Sequence, residues 1–299
     1  MDQEKFIKRM IGKNMGLKLM YITNNPAIAE IAECAGVDRI FIDMEYIGKD
    51  ERQAGLDTVK SHHTINDVKK IRSQIHKAEL LVRINPIHEE TMEYMGSFKE
   101  INAVIDAGAD ILMLPMFRTL EEIETFISLV NGRAKIMLLL ETIDAMNKIE
   151  EIVKIRGIDE IHIGLNDLHL ALHKRFMFEL LADGTVDRLC KIISEKGIPY
   201  GFGGIARLGY GELPAEYVIT EHYRLGSTLA ILSRSFCNAN KIENPKEIEN
   251  IFKNGIQLIR DWEQKVTSFS EKDFQNNRQI VCQKVNEIVE REDNCEKKI

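Results

Sequence analysis

The sequence lacks the long apolar segments, the excess of basic residues and the paired cysteines that identify several classes of protein. Its longest apolar runs, such as residues 136–140, are far shorter than the roughly 20 residues of a membrane-spanning helix. Aspartate and glutamate (47) outnumber lysine and arginine (40), and the net charge of −7 disfavours binding to nucleic acid or to a membrane surface. The five cysteines are scattered without Cys-x-x-Cys spacing, so neither a zinc site nor a disulfide framework is indicated. Because residues 1–5 do not begin an apolar signal peptide, we expect a cytoplasmic protein.

Short apolar runs recur along the chain, with helical patterns between them. The runs show little period-two alternation, which is typical of strands buried on both faces of a parallel sheet. The predicted strands are 17–23, 39–45, 80–85, 111–116, 135–141, 160–166, 199–204 and 225–232. Eight alternating units predict a closed (β/α)8 barrel. The alternative is an open doubly wound sheet, but no Gly-x-Gly-x-x-Gly turn follows the first run.

The composition changes near residue 266, where we place the end of the barrel domain, residues 1–266. Residues 267–299 are highly charged, with a helical pattern around residues 280–290. The pattern is compatible with a lid, with a helix that docks a second subunit or with a partly disordered tail. These alternatives stay open at the level of sequence.

Charged residues lie at the carboxyl ends of the predicted strands, where (β/α)8 barrels carry their active sites. The second strand ends with Asp43 and Glu45, the third contains Arg83, and the fifth and sixth lead to Glu141 and Asp167. Carboxylate oxygens without cysteine or histidine partners suit a hard divalent cation such as Mg²⁺ or Mn²⁺. For any single acid the alternative is a helix cap or a surface charge. That alternative is weaker for Glu141 and Asp167, because an unpaired charge beside an apolar strand is costly.

Five segments in register resemble the HpcH/HpaI aldolase and citrate lyase family over roughly residues 16–235. They are GVDRIFIDME (36–45), LVR (81–83), AGAD running into LPM (107–116), LET (140–142) and IGLNDL (163–168). The resemblance implies a (β/α)8 barrel of the phosphoenolpyruvate/pyruvate-binding type. It also implies that Glu141 and Asp167 bind a divalent metal, Mg²⁺ or Mn²⁺, with Co²⁺ as an alternative.

Members of this family make or break a carbon–carbon bond next to a 2-oxo acid or an acyl-CoA thioester. The resemblance therefore implies a metal-stabilised pyruvate enolate, a small 2-oxo acid and an aldehyde as reactants, and a homo-oligomer. It implies that Arg83 binds the substrate's oxygens, in a site that also contains Pro115, Gly164, Leu165 and Asn166. No predicted strand ends in lysine, so a Schiff-base aldolase is not indicated.

Position 46 departs from the family pattern. Tyr46 stands where pyruvate aldolases of the family usually carry an acid–base histidine, and a phenol with a pKa near 10 is a poor base at neutral pH. His62 and His63, on the loop after the same strand, are the nearest imidazoles in the sequence. We therefore treat Tyr46, His62 and His63 as candidates for acid–base chemistry, together with Asp43 and Glu45. A water on the metal, or a plain surface loop at 62–63, is the alternative.

Two other functions stay open on the sequence alone. One is a CoA-thioester lyase of the citrate lyase beta type, which needs a basic surface for the CoA phosphates. No cluster of lysine and arginine lies near the predicted strand ends. The other is a non-catalytic barrel that binds a metabolite. It is considered because Tyr46 stands where the family usually has a histidine.

Overall fold

The computed structural model describes residues 16–48 and 63–296, with side chains described to residue 291. Eight parallel strands pair in sequence order, and the last pairs with the first to close a barrel. The strands are β1 Lys18–Ile22, β2 Arg39–Asp43, β3 Glu79–Arg83, β4 Ile111–Leu114, β5 Lys135–Leu140, β6 Glu160–Ile163, β7 Tyr200–Ile205 and β8 Leu229–Leu232. The predicted (β/α)8 barrel is confirmed, with each strand within a few residues of its predicted bounds.

Helices follow the strands and form the outer layer. They are α1 Pro26–Cys34, α2 Ile65–Gln74, α3 Ser97–Asp106, α4 Leu120–Val130, α5 Ile143–Asn147, α6 Ile149–Ile152, α7 Leu165–Ala171, α8 Glu179–Ala182, α9 Thr185–Glu195, α10 Ala215–Leu225, α11 Pro245–Val266 and α12 Glu271–Glu296. Capping boxes begin two of them, formed by Thr64 with Asp67 at α2 and by Thr119 with Glu122 at α4. Within the described residues, no helix is both long and apolar enough to cross a membrane.

Six strands end one to three residues earlier than the sequence pattern predicts, and for three of them the difference decides where charged residues lie. β2 stops at position 43 rather than 45, β5 at 140 rather than 141, and β6 at 163 rather than 166. Glu45 and Glu141 therefore follow their strands, and Asp167 lies in the first turn of α7. Asp43 and Arg83 are the last residues of β2 and β3.

The barrel interior has a charged base and an apolar middle. At the amino ends of the strands, the fully buried guanidinium of Arg39 donates hydrogen bonds to Glu160 on β6 (2.5 and 2.7 Å) and to Glu79 on β3 (2.9 Å). Above this network lies an apolar layer, whose buried members are Met20, Phe41, Leu81, Ile111, Met113, Met137, Leu139 and Leu229. The charged side chains at the carboxyl ends therefore stand above a filled interior.

The charged C-terminal segment packs on the outside of the barrel. α12 contacts α8 and α10, and its side chains Phe274, Val281 and Val285 are buried. Asn277 donates a hydrogen bond to Glu221 of α10 (2.8 Å). These contacts place the described part of the tail in the outer helical layer. The boundary placed at residue 266 coincides with the end of α11.

Two histidines, His162 on β6 and His222 on α10, are buried near β7. The ring of His222 stacks on Phe202 with centroids 3.9 Å apart, and its Nδ1 lies 2.7 Å from Oγ of Ser227. Nε2 of His162 donates a hydrogen bond of 3.1 Å to the carbonyl oxygen of Gly203. Burial lowers the pKa of His162 to about 4 and that of His222 to about 3, so both imidazoles are neutral at neutral pH.

We expect the free energy of unfolding to fall as the pH drops from about 6.5 toward about 4. In that range the unfolded chain protonates these histidines and the folded chain does not. Each contributes up to about 1.4 kcal/mol per pH unit to the slope. The variant His222→Phe keeps an aromatic ring on Phe202 and should remove one such contribution.

Urea unfolding between about pH 7 and about pH 4 measures the slope. The exposed His76→Asn variant is the matched control. A slope that His222→Phe leaves unchanged would contradict the buried neutral state of His222.

Candidate active site

A cavity of about 710 Å³ opens at the carboxyl ends of the strands. Each of the eight strands contributes at least one residue to its walls. This is the end of the barrel at which enzymes of this fold carry their active sites, and the volume is typical of a small-molecule site.

Arg83, the last residue of β3, is held by two acidic residues. Its Nε and Nη2 each donate a hydrogen bond of 2.8 Å to Asp43, and its Nη1 lies 3.2 Å from Oε2 of Glu45. Burial would lower the pKa of Arg83, but Asp43 and Glu45 raise it well above its usual value. The register of the two strands, which places Asp43 opposite Arg83, produces this contact.

Asp43 and Glu45 are both buried and both lie within ion-pair distance of Arg83. Asp43 lines the cavity, whereas Glu45 is not among the lining residues. Both acids position the guanidinium, and the catalytic role expected for them stays a prediction.

Asn85, which sequence analysis does not single out, fixes the turn after β2. Its Oδ1 accepts hydrogen bonds from the backbone N–H groups of Tyr46 (3.0 Å) and Ile47 (3.1 Å), and its Nδ2 donates one to Glu100 (2.9 Å). Asn85 and Glu100 are both buried. In the sequence, Asn85 can be recognised only as a polar residue at the end of an apolar run. Its hydrogen-bond partners lie at positions 46, 47 and 100, too far away for a local pattern to indicate them.

Tyr46 lies outside the cavity. Its side chain is 37% exposed, packs on Tyr94 with ring centroids 5.4 Å apart, and is not among the lining residues. Partial burial and the nearby Glu100 raise the pKa of the phenol, which makes it a still poorer base. Because Tyr46 does not line the cavity and its pKa is raised, a role of the phenol as a base has no support from these observations.

Glu141 and Asp167 both line the cavity. Oε1 of the buried Glu141 accepts a hydrogen bond of 3.1 Å from the backbone N–H of Met116, whose φ of 54° lies in the left-handed region. A Cβ atom at Gly164 would lie 2.8 Å from Oε2 of Glu141, so only glycine leaves room for this carboxylate. Burial raises the pKa of Glu141 well above its usual range, and the charge of Asp167 raises it further.

This pair fits a divalent cation. Two carboxylates that disfavour each other's charge are stabilised by a cation between them, and their donor atoms are all oxygen. Within residues 16–48 and 63–296, no group of three or more histidine, cysteine, aspartate or glutamate side chains could hold a metal ion. The protein would thus supply two ligands, and water or substrate would supply the others.

His63 lines the same cavity, whereas His62 lies outside the described residues. Nδ1 of His63 accepts a hydrogen bond of 3.0 Å from the backbone N–H of Asp43. An imidazole nitrogen that accepts a hydrogen bond carries no proton, so neutral His63 carries its proton on Nε2. His63 thereby contacts Asp43, whose carboxylate accepts hydrogen bonds from Arg83.

The remaining predicted site residues divide between the cavity wall and the core. Gly164, Leu165 and Asn166 line the cavity, as expected of a substrate-binding segment. Pro115 is buried but is not among the lining residues, which differs from its expected role. His162 of β6 is also part of the cavity wall.

Comparisons with known proteins agree with this architecture. The model of the HpcH/HpaI aldolase/citrate lyase family matches residues 18–176, more than half of the chain. A comparison with curated proteins gives no match.

Several solved structures have the same fold. A protein of the HpcH/HpaI aldolase/citrate lyase family from Burkholderia cenocepacia J2315 is 17% identical, with a TM-score of 0.56 over 77% of this chain and 92% of that one. An HpcH/HpaI aldolase from Desulfitobacterium hafniense DCB-2 is 16% identical, with a TM-score of 0.54 over 76% and 89% of the chains. The citrate synthase SbnG is 14% identical, with a TM-score of 0.54 over 76% and 90%. At these identities the likeness shows the fold alone.

We expect Arg83→Lys to destabilise the barrel although the charge is kept. Lysine cannot donate the paired hydrogen bonds to Asp43, so buried carboxylate oxygens lose a partner, at a cost of about 1–3 kcal/mol. Urea unfolding at neutral pH measures the change. Arg118→Lys on the surface is the control and should stay within about 0.5 kcal/mol of the wild type. Equal stability of the two variants would show that the contacts of Arg83 with Asp43 and Glu45 are dispensable for folding.

Proposed function

The chain belongs to the HpcH/HpaI aldolase/citrate lyase family, and from this membership we propose that it is a divalent-metal-dependent carbon–carbon lyase of the aldolase type. In the forward direction, a pyruvate-like 2-oxo acid loses a proton from its methyl carbon. That carbon forms a bond with the carbonyl carbon of an aldehyde, whose oxygen gains a proton. Cleavage is the reverse. The observation that carries the proposal is the pair Glu141 and Asp167 beside Arg83.

The electrostatics of Glu141 support a cation at this edge of the cavity. Burial and the charge of Asp167 both raise the pKa of this carboxyl, so its negative charge is unfavourable where it lies. A divalent cation beside the two carboxylates would favour the ionised form of Glu141 and would also attract a 2-oxo acid, which is an anion.

Glu141 and Asp167 are the residues that would hold the cation, and oxygen ligands favour Mg²⁺ or Mn²⁺, with Co²⁺ as an alternative. Bound there, the cation would supply Lewis-acid stabilisation of the negative charge on the 2-oxo oxygen. The hydrogen bond from Met116 fixes the orientation of Glu141.

Arg83 would bind the substrate's oxygens. A guanidinium has five N–H donors, and the contacts with Asp43 and Glu45 engage at most three of them. The other donors can form charge-assisted hydrogen bonds to the 2-oxo acid. Because two acids hold the guanidinium in place, little side-chain freedom would be lost on binding.

His63 would act as a neutral hydrogen-bond donor rather than as a base. Its Nδ1 accepts a hydrogen bond from the backbone N–H of Asp43, so the donor of the neutral ring is Nε2–H. A second proton on Nδ1 would break the bond to Asp43. We therefore assign Nε2–H to the aldehyde oxygen, where negative charge develops as the carbon–carbon bond forms.

Exchange of the methyl protons of pyruvate for deuterium, followed by NMR with Mn²⁺ added, tests the proposed function. We expect exchange by the wild type and none by Glu141→Gln. Mn²⁺ at about a hundred times its Kd should also stabilise the wild type by about 2.7 kcal/mol and leave Glu141→Gln unchanged. Without metal, this variant should be at least as stable as the wild type, because it removes the repulsion from Asp167.

The surface variant Glu121→Gln is the control and should respond to Mn²⁺ as the wild type does. Exchange that persists in Glu141→Gln, or in the presence of a chelator, would rule out the proposed metal site.

The variants His63→Asn and His63→Gln distinguish a donor from a base. Asparagine can keep the contact to Asp43 but has no group at the position of Nε2, whereas the amide of glutamine reaches that position. We expect His63→Asn to lower the rate of aldol cleavage by about 100-fold, and His63→Gln to restore part of it. The pH–rate profiles of the wild type and His63→Gln should be parallel near neutrality. If both variants lower the rate equally, and both lose a limb that the wild-type pH–rate profile shows near neutral pH, then His63 is a base instead.

A further inference from the structure

The cavity is divided into a charged side and an apolar side. The charged residues Asp43, Arg83, Glu141 and Asp167 come from β2, β3 and the turns after β5 and β6. Six apolar residues line the cavity around β7 and β8, beside polar residues of the same region. We refer to these six as the β7–β8 sector: Phe176, Phe178, Ala206, Leu213, Val218 and Leu232. All six are buried and yet border the cavity, so they form a packed apolar surface around an opening.

The volume exceeds what a small 2-oxo acid occupies. Pyruvate has six non-hydrogen atoms, and at about 30 Å³ for each, the volume of a water molecule in the liquid, it fills roughly 180 Å³. On the order of 500 Å³ of the cavity of about 710 Å³ is then left beside the charged edge. That space adjoins the β7–β8 sector.

We propose that the β7–β8 sector binds the acceptor half of the substrate, and that the acceptor is an aldehyde with an uncharged, apolar body of about four or more carbons. The proposal rests on the proposed aldolase function, because it assigns the second reactant of that reaction. A charged acceptor would lose hydration against these side chains without gaining a partner. An apolar one gains from every methylene that it buries.

Two glycines of β7 border this part of the cavity, and they differ in the room that they leave. Gly203 has a φ of 53°, and a Cβ atom there would lie 2.8 Å from Cδ1 of Leu165. A Cβ atom at Gly204 would meet Cβ of Ser233 at 3.4 Å, which is ordinary van der Waals contact. Since Gly204 and Ser233 both line the cavity, a side chain at position 204 can be built and would reduce the room for an acceptor.

Polar residues of this side, such as Ser233, Arg234 and Asn238, also border the cavity, and Arg234 is exposed. Its guanidinium therefore belongs to the rim. An anionic aldehyde that used this rim is the competing outcome, and the experiment includes one.

The test measures kcat/KM for addition of pyruvate to acetaldehyde, butanal, hexanal, benzaldehyde and succinic semialdehyde. We expect kcat/KM to rise by about fourfold for each added methylene until the sector is filled. Gly204→Val should lower kcat/KM for hexanal and benzaldehyde by at least about tenfold more than it lowers kcat/KM for acetaldehyde. Gly204→Ala, which adds a single methyl group, should have a smaller effect in the same direction and serves if the valine variant does not fold.

Phe178→Ala should also lower kcat/KM for the long aldehydes, whereas the exposed Phe98→Ala is the matched control. Equal kcat/KM for all aldehydes, or a preference for succinic semialdehyde that Gly204→Val does not change, would overturn the proposal.

A binding measurement separates this inference from the proposed function. Benzyl alcohol is an uncharged probe of the sector that needs no reaction, and calorimetry should show binding to the wild type that Gly204→Val weakens. Absence of binding, or binding unaffected by Gly204→Val, would overturn the inference even if pyruvate exchange occurs. Absence of pyruvate exchange together with the expected binding would count against the proposed chemistry alone.

Discussion

The register between β2 and β3 is the constraint on which the charged edge of the site depends. It sets Arg39 opposite Glu79 near the base of the barrel and Asp43 opposite Arg83 at the rim, with three apolar pairs between them. Since side chains alternate along a strand, a shift of either strand by one residue would turn both of its charged side chains from the interior toward the helices. The apolar space there offers no partners, so the two ion pairs specify one register and also place Arg83 at the cavity.

The base of the barrel has a different role from the rim. Arg39 is fully buried, and its contacts with Glu160 and Glu79 join strands from opposite sides of the barrel. A buried charge with complete partners is tolerated, but removing one partner is costly. At the rim, Glu141 and Asp167 lie close enough to raise the pKa of Glu141. Ion-paired charges thus lie at the base of the barrel, and the two carboxylates that would bind a cation lie at the rim.

Much of the fold and part of the site could be predicted from the sequence because they follow from periodic patterns. Eight apolar runs gave the barrel, and positions at the strand ends brought Arg83, Glu141 and Asp167 to one cavity. The position of Tyr46 outside the cavity lining could not be predicted, because the turn that carries it is held by a hydrogen bond to Asn85, 39 residues away in sequence. The tautomer of His63 likewise depends on a backbone group 20 residues earlier. Local patterns carry no information about such contacts between loops and strands.

The asymmetry of the cavity can be explained by the composition of single strands. β2, β3 and β6 each direct a large polar side chain toward the axis, namely Asp43, Arg83 and His162. β7 has the sequence YGFGGI, and its glycines contribute no side chains to the interior. Because these glycines have no side chains, the cavity extends past β7 to apolar residues of the loop and helix that follow it, such as Leu213 and Val218. Asp43, Arg83 and His162 thus make one part of the cavity polar, and the glycines of β7 leave room for an apolar group in another.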